Sequence, residues 1–430
     1  MKLNYKRTFF IGLAFLSISA FWQLYDNIVP LILENTFGLG ETLTGAVMAL
    51  DNVLALFLLP IIGAFSDRVS TRLGKRMPFI IGGTISAVIL MMAIPFADNQ
   101  ENFILFFIIL GLVLVAMSFY RSPAVALMPD LTPKELRSKA NAVINLMGAA
   151  GGIFTLVAIS LFIREGAKPD YTYVFLAVAI LMVVTVAILF ITIRENHLLA
   201  KIKEQERKEQ LVEEQATETD SLVEETLPKD VKKSLFFILA SIFLWFTAYN
   251  AIITAFSRYA VKVWGLGGGS FANILMVATG AAVVSYIPIG FLSSKFGRKR
   301  MIQIGIIIMS LSYLSGFFYT SYHPSINIVF ALTGFGWAAI NVNSYPMVVE
   351  MSKNSDVGKY TGLYYTFSMA AQIFTPIFSG LFLEVISYRT LFPYALTFSL
   401  LSLLTMAFVK HGDSKPVQKG DLIENFDLDD

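Results

Sequence analysis

The sequence predicts an all-α membrane protein of twelve spanning helices arranged as two pseudo-symmetric six-helix bundles. Three observations carry that prediction. Of the 430 residues, 56% are apolar and only 15% are charged. Apolar runs of eighteen or more residues recur along the whole chain, and in lipid such runs satisfy their backbone groups only as helices. A polar, charge-dense stretch then interrupts the series midway, and features before it recur after it.

At roughly 20 residues per span, the runs fall at about 8–35, 42–65, 77–97, 101–128, 139–163, 171–193, 234–263, 270–293, 300–320, 325–350, 359–384 and 390–410. The first run is too long for a signal peptide and lacks a small-residue cleavage site, so it reads as a span. One set of loops holds Lys2, Lys6, Arg7, Arg68, Arg72, Lys75, Arg76, Lys134, Arg137, Lys139, Lys295, Arg298, Lys299, Arg300, Lys353, Lys359 and Lys410. The other holds little beyond Arg164, Lys168 and Arg389. By the positive-inside rule both termini are expected on the cytoplasmic face of the cell membrane.

Residues 194–233 are rich in Glu, Lys, Gln and Thr and nearly free of aromatics, which suits a solvated linker with a short helix around 201–215. The expected division is therefore a first bundle (1–193), a cytoplasmic linker (194–233), a second bundle (234–411) and a cytoplasmic tail (412–430). The halves read as repeats. Gly63-Ala-Phe-Ser-Asp-Arg leading to Gly74-Lys75-Arg76 is answered by Gly290-Phe-Leu-Ser-Ser-Lys leading to Gly297-Arg298-Lys299-Arg300. Tyr25-Asp26 is answered by Tyr249-Asn250, and Asp130 by Glu350. Two such bundles around a midplane site form a transporter architecture.

Several classes drop out on composition. A net charge of +2, with the basic residues confined to loops, argues against a nucleic-acid partner. Absence of cysteine removes disulfide and thiolate chemistry. His197, His323 and His411 lie at span ends or in loops, so no metal site is expected. The glycines at 265 and 267–269 lack the following Gly-Lys-Ser/Thr of a phosphate loop and read as a turn. No constellation supports an enzyme.

The signature Gly63, Asp67, Arg68, Arg72, Gly74, Lys75 and Arg76, its degenerate copy and the six-plus-six layout together resemble the major facilitator superfamily. Within it, Pro60-Ile-Ile-Gly63, Ser66-Asp67-Arg68, Arg72 to Phe79 and Arg121-Ser-Pro-Ala-Val-Ala-Leu-Met-Pro-Asp130-Leu resemble the sucrose-carrier-like branch, related to glycoside, pentoside and hexuronide cation symporters. The paired helix-two aspartates of melibiose-type sodium carriers are not reproduced, since Ala55 and Leu59 occupy those positions; protons are then the expected coupling ion, with no other cofactor. The resemblance implies that Asp67 lies near the start of a helix in the opposite half, while Arg68 and Arg72 pair with carboxylates such as Asp130. Gly63, Asp67, Arg68, Arg72, Gly74, Lys75, Arg76, Asp130 and Glu350 thus form an expected cytoplasmic gate. For Lys75 and Arg76 a purely topogenic role is the alternative.

Ionisable residues inside spans are costly and point to transport chemistry. Asp26 and Asp51 fall at similar depth in antiparallel spans and are the candidates for proton coupling, each followed by an asparagine, Asn27 or Asn52. Arg121, deep in the fourth span, is a candidate for holding substrate oxygens with its guanidinium fork; a structural pair with Asp130 is the alternative. Substrate candidates are Trp22, Tyr25, Tyr120, Trp245, Tyr249, Asn250, Trp337, Asn341, Asn343, Tyr345, Tyr365 and Gln372, because sugars take amide or hydroxyl partners at their edges and aromatic rings at their faces. Arg258 and Lys262 near the outer end of the seventh span read as snorkelling cations, and Glu34 and Glu384 as water-facing acids. The charges of the first half become neutral polar groups in the second: Asp26 aligns with Asn250, Asp67 with Ser294 and Arg121 with Asn341.

The expected function is secondary active transport in a lipid bilayer: proton-coupled symport of a small molecule, a sugar or glycoside, by a monomer. A proton-antiporting exporter of amphipathic compounds and a non-transporting sensor with the same fold are the alternatives.

Overall fold

The computed structural model describes residues 3–133, 136–164, 166, 169–200, 228–351 and 357–413. Lys2, Lys134, Lys168, Lys353, the side chain of Lys139 and the helix expected at 201–215 lie outside them, with most of the linker and tail.

The first half contains α1 (Tyr5–Asn35), α2 (Glu41–Arg68), α3 (Met77–Asn99), α4 (Phe103–Asp130), α5 (Arg137–Phe162) and α6 (Thr172–Thr192). The second contains α7 (Lys229–Trp264), α8 (Phe271–Phe296), α9 (Arg298–Phe318), α10 (Ile326–Glu350), α11 (Val357–Val385) and α12 (Leu391–Ala407), the last entered through a 3-10 turn at Tyr388–Thr390. Twelve helices among the described residues are long and apolar enough to cross a membrane. The expected spans each find a helix. α7 starts earlier than hydropathy placed it, because Lys229, Asp230, Lys232 and Lys233 extend the helix beyond its apolar part; its 36 residues run about 54 Å, well past a hydrocarbon core of about 30 Å.

Packing repeats between the halves. In the first, α1 lies against α5 and α6, α4 against α2 and α3, and α3 against α6. In the second, α7 lies against α11 and α12, α10 against α8 and α9, and α9 against α12. Among the described residues, the main contacts between the halves are made by three helix pairs: α2 with α11, α5 with α8, and α1 with α7. The first two are equivalent under the repeat and the third lies on its pseudo-two-fold axis. Small residues allow the close crossings. A Cβ on Gly151 would fall 2.0 Å from the Leu16 carbonyl oxygen within the first bundle, and one on Gly45 would fall 1.9 Å from the Pro376 carbonyl oxygen between bundles.

Candidate functional site

Three layers of polar residues follow the helices from end to end. The first lies on the side where the chain ends are, called here the terminal side, in the loop between α2 and α3. Gly74 sits there at φ +124°, a conformation that favours glycine, and a Cβ on it would fall 2.1 Å from Glu195 Oε2. The Glu195 carboxylate accepts from the backbone N–H groups of Lys75 (2.9 Å), Arg76 (2.9 and 3.1 Å) and Met77 (2.9 Å), capping the open end of α3. Asn196 Nδ2 donates to the carbonyls of Thr71 and Arg72 at 2.9 and 3.0 Å. The end of the first bundle is thereby fastened to its own signature loop.

Arg76, only 3% exposed, is the centre of this loop. Its Nε donates to Asp130 Oδ2 at 2.8 Å, while Nη1 meets Ser66 Oγ and Nη2 meets Asp67 Oδ1. Lys75 Nζ lies 3.2 Å from Asp130 and 3.7 Å from Asp67. The structure corrects the sequence expectation here. The partners of Asp130 are Arg76 and Lys75, whereas Arg68 and Arg72 are exposed. Among the described residues, Asp67 is held by cations of its own half, Arg76 and Lys75, rather than by a helix of the other. The reason is local: the turn at Gly74 brings residues 75 and 76 back over the end of α2, and Arg68 and Arg72 point outward from it. Gly63 packs where α4 comes close, its Cβ position 3.1 Å from Ser122 Oγ.

The second copy is less degenerate than its sequence suggests. Gly297 again has positive φ (+93°), and Lys299 N–H donates to Asp413 Oδ1 at 2.7 Å, the counterpart of the Glu195 cap. Arg298 pairs with Glu350 as Lys75 does with Asp130. Sequence reasoning missed Glu195 and Asp413; the available signal was an acid shortly after the last helix of each half.

The second layer lies within the spans. Asp51 Oδ1 accepts from Asn52 Nδ2 at 2.7 Å. Asp51 lies within electrostatic reach of Asp26, which sequence depth placed near it, and also of Arg121, which sequence depth placed about ten residues nearer the cytoplasmic end. The Arg121 guanidinium lies 5.6 Å from the Trp22 ring centroid, a cation–π arrangement. Among the described residues Asp130 pairs with Arg76 and Lys75 and not with Arg121. Tyr25, 2% exposed, points its hydroxyl at the Met48 carbonyl (3.4 Å).

From the second half, Tyr249 stacks on Trp337 with centroids 3.6 Å apart and planes 1° from parallel. Asn250 Nδ2, Trp245 Nε1 and Trp22 Nε1 are buried donors without a hydrogen-bond partner among the described residues. Asn341 and Gln372 are half-buried. Two candidates are spoken for by packing. Tyr120 is fully buried and donates to the Ala14 carbonyl at 3.0 Å, and Asn343, 1% exposed, donates back to Ala339 of its own helix at 2.8 Å. Tyr345 shares a hydrogen bond with Thr361 (2.9 Å) and contacts the rings of Tyr364 and Tyr365.

The third layer, at the opposite or distal ends, corrects the reading of Arg258 as a snorkelling cation and of Glu34 as a water-facing acid, while Lys262 and Glu384 remain exposed as expected. Arg258 is 3% exposed and grips Glu41, which is 4% exposed, with Nε to Oε2 at 2.9 Å and Nη2 to Oε2 at 2.8 Å. Its Nε also lies 3.8 Å from Glu34. Lys262 pairs with Glu34, Tyr388 bonds Glu41, and Glu384 accepts from Thr42 N–H at 2.9 Å. Among the described residues, the ion pairs joining the two halves are all here. Ser160 of α5 adds a 2.9 Å bond to Asn273 of α8 on the same side. The distal mouth is closed, and outside the latch remains a cavity of about 620 Å³ lined by Glu34, Glu41, Lys262, Glu384 and Tyr388.

A signal for this latch was present in the repeat. The offset of 224 that carries Asp26 onto Asn250 also carries Glu34 onto Arg258. Equivalent positions meet across a two-fold axis, where like charges would repel; here the repeat has diverged to opposite signs.

The comparisons with known proteins agree with this fold. The chain is 23% identical over 392 residues to an uncharacterized MFS-type transporter of Methanocaldococcus jannaschii, covering 90% of each chain. It is 25% identical to Multidrug resistance protein 2 of Bacillus subtilis, covering 91% of this chain and 93% of that one. Against the sucrose transport protein SUC3 of Arabidopsis thaliana the match is 27% identical over 151 residues, 31% of this chain and 25% of that one. Among solved structures, the inward open conformation of the xylose transporter XylE from E. coli shares the fold with a TM-score of 0.66 at 16% identity, covering 98% of each chain. A bacterial homologue of the iron transporter ferroportin does so with a TM-score of 0.67 at 12% identity, covering 94% of this chain and 99% of that one. The family model for the Major Facilitator Superfamily matches residues 11–286 and 266–424. Twelve spans in two repeated bundles, the repeated signature loop and this match together show that the chain is a membrane transporter belonging to the major facilitator superfamily.

Proposed function

We propose that this transporter couples proton entry to uptake of a sugar or glycoside by alternating access, with the terminal side in the cytoplasm and the chain in the cell membrane. The observation that carries the reading is the chemical inequality of the two halves within their spans. The first half contributes Asp26, Asp51 and Arg121, and the second contributes Asn250, Asn341, Gln372 and the Tyr249–Trp337 stack. Carboxylates exchange protons, whereas amides and flat rings suit neutral hydroxylated cargo. The loops of the terminal side carry most of the lysines and arginines, which supports the orientation. Asp67, Arg76 and Asp130 rearrange as the terminal side closes, and the distal latch parts as the other side opens.

A second reading, a proton-antiporting exporter, is favoured by one observation: the multidrug resistance relative spans nearly the whole chain, while the sucrose transport match spans a third of it. Proteoliposomes with an internal pH dye separate the two. Substrate-dependent acidification with a sugar added outside supports symport. Proton movement opposite to an amphipathic cation supports export, and no proton movement with either rejects coupling.

A further inference from the structure

Arg68 and Arg72 are left out of the network they were expected to join. The carboxylates at the signature loop are engaged elsewhere: Asp67 and Asp130 with Arg76 and Lys75, and Glu195 with three backbone N–H groups. Among the described residues neither Arg68 nor Arg72 forms an ion pair, and both are exposed. Two permanent charges are therefore free to take an outside partner.

The direction of that partner follows from the helix. Gly45 and Gly63 of α2 lie a whole number of turns apart and so share one face, which packs on α11 at Pro376 and on α4 at Ser122. Ile61 and Phe65, each two residues from Gly63, fall roughly 160° round the helix from it. Phe57 and Arg68 continue the same outer stripe, whose three apolar side chains are 55–64% exposed. From Phe57 to Arg68 is about 16 Å, half of a hydrocarbon core of about 30 Å. The stripe thus covers one leaflet, and Arg68 stands at its boundary on the terminal side. The loop stays at this level, because Leu73, next to Arg72, is also exposed, and an apolar side chain beside a cation suits the zone where headgroups meet acyl chains. Phe79 at the start of α3 borders the stripe, its ring 5.7 Å from that of Phe65.

We propose that Arg68 and Arg72 bind the headgroup phosphate of an anionic phospholipid in the terminal-side leaflet, with its acyl chains lying along Phe57, Ile61 and Phe65. A guanidinium fork matches phosphate oxygens, and basic groups at the edge of a span attract anionic lipid. Asp67 is taken by Arg76 and Lys75, so no acid is spare for the amine of a zwitterionic headgroup, and the uncompensated charge selects a lipid of net negative charge. The second half lacks the site. Lys295 aligns with Arg68, but its ammonium lies 5.6 Å from the Phe296 ring centroid, and the shorter turn before Gly297 has no counterpart of Arg72.

The test titrates the full chain in detergent, without substrate, with phosphatidylglycerol or phosphatidylcholine of the same chain length, and counts bound lipid by native mass spectrometry. The expected result is one phosphatidylglycerol retained with a preference of roughly tenfold or more over phosphatidylcholine. That preference should weaken in Arg68→Gln and in Arg72→Gln, vanish when the two are combined, and persist in Lys295→Gln. Equal retention of the two lipids overturns the proposal. So does a preference that survives the combined substitution, or one that Lys295→Gln removes as fully. Displacement of the lipid by inorganic phosphate at equal concentration would show that the acyl chains add nothing, and overturns it too. Because no cargo is present, the outcome is independent of whether the transporter carries sugars or couples to protons.

Discussion

Arg258 of α7 binds Glu41 of α2 across the boundary between the bundles, with both groups less than 5% exposed. A buried pair of this kind gives little net stability when whole, since desolvation offsets attraction, but removing one partner strands the other. Arg258→Ala should therefore weaken the closed distal mouth by on the order of 3–5 kcal/mol, a shift of more than a hundredfold toward the open form. Leu383, 2% exposed and lining the distal cavity, reports it. At fixed pH, a cysteine there should react much faster with a membrane-impermeant maleimide in Arg258→Ala than in the parent. Equal rates would mean the pair does not hold the mouth.

The seam below that pair depends on glycine. The Cβ of Gly45→Val would enter the space of the Pro376 carbonyl, and that of Gly380→Val would fall 2.6 Å from the Glu41 carbonyl oxygen. Both substitutions should stop transport by preventing closure while leaving substrate binding from the distal side intact, measured as ligand-dependent thermal stabilisation. Gly82→Val, with nothing within 4 Å, is the control and should transport normally. Normal transport by Gly45→Val would show that the seam does not close this tightly during the cycle.

The two carboxylate caps differ in what they satisfy. Glu195 receives three consecutive backbone N–H groups of the signature loop, whereas Asp413 receives one. Glu195→Ala strands buried donors at about 1–3 kcal/mol each and should lower the melting temperature more than Asp413→Ala. Equal shifts in detergent-solubilised protein would contradict the difference.

Asp51→Asn keeps the size of the side chain and removes its exchangeable proton. Uphill accumulation driven by a pH gradient should vanish, while counterflow exchange, which needs no net proton movement, continues. Unchanged accumulation would move coupling elsewhere.

Asn341 and Gln372 should matter for cargo where Asn343 does not. Asn343 is committed to the Ala339 carbonyl and is buried in its bundle. Alanine at 341 or 372 should raise KM for the transported solute several-fold, and alanine at 343 should act on protein stability instead. A KM effect confined to Asn343 would reverse this assignment.

The amino-acid sequence alone determined the elements and their symmetry. Long apolar runs permit only helices in lipid, and the recurrence of Gly74-Lys75-Arg76 as Gly297-Arg298-Lys299-Arg300 showed two halves because a local signature survives in local order. It also marked Asp26, Asp51 and Arg121, since a charge inside a span is conspicuous wherever it pairs. What it could not settle was which charge meets which. Arg76 rather than Arg68 or Arg72 reaches Asp130 because the turn at Gly74 reverses the chain there. Arg258 and Lys262 looked like interfacial cations, since their partners Glu34 and Glu41 lie more than 200 positions away in sequence. Hydropathy registers only how deep a residue sits in its own helix. Only the packing of α1 and α2 against α7 and α11 puts those four charges and Tyr388 at one place, because ion-pair geometry depends on distances between helices that no single stretch of sequence encodes.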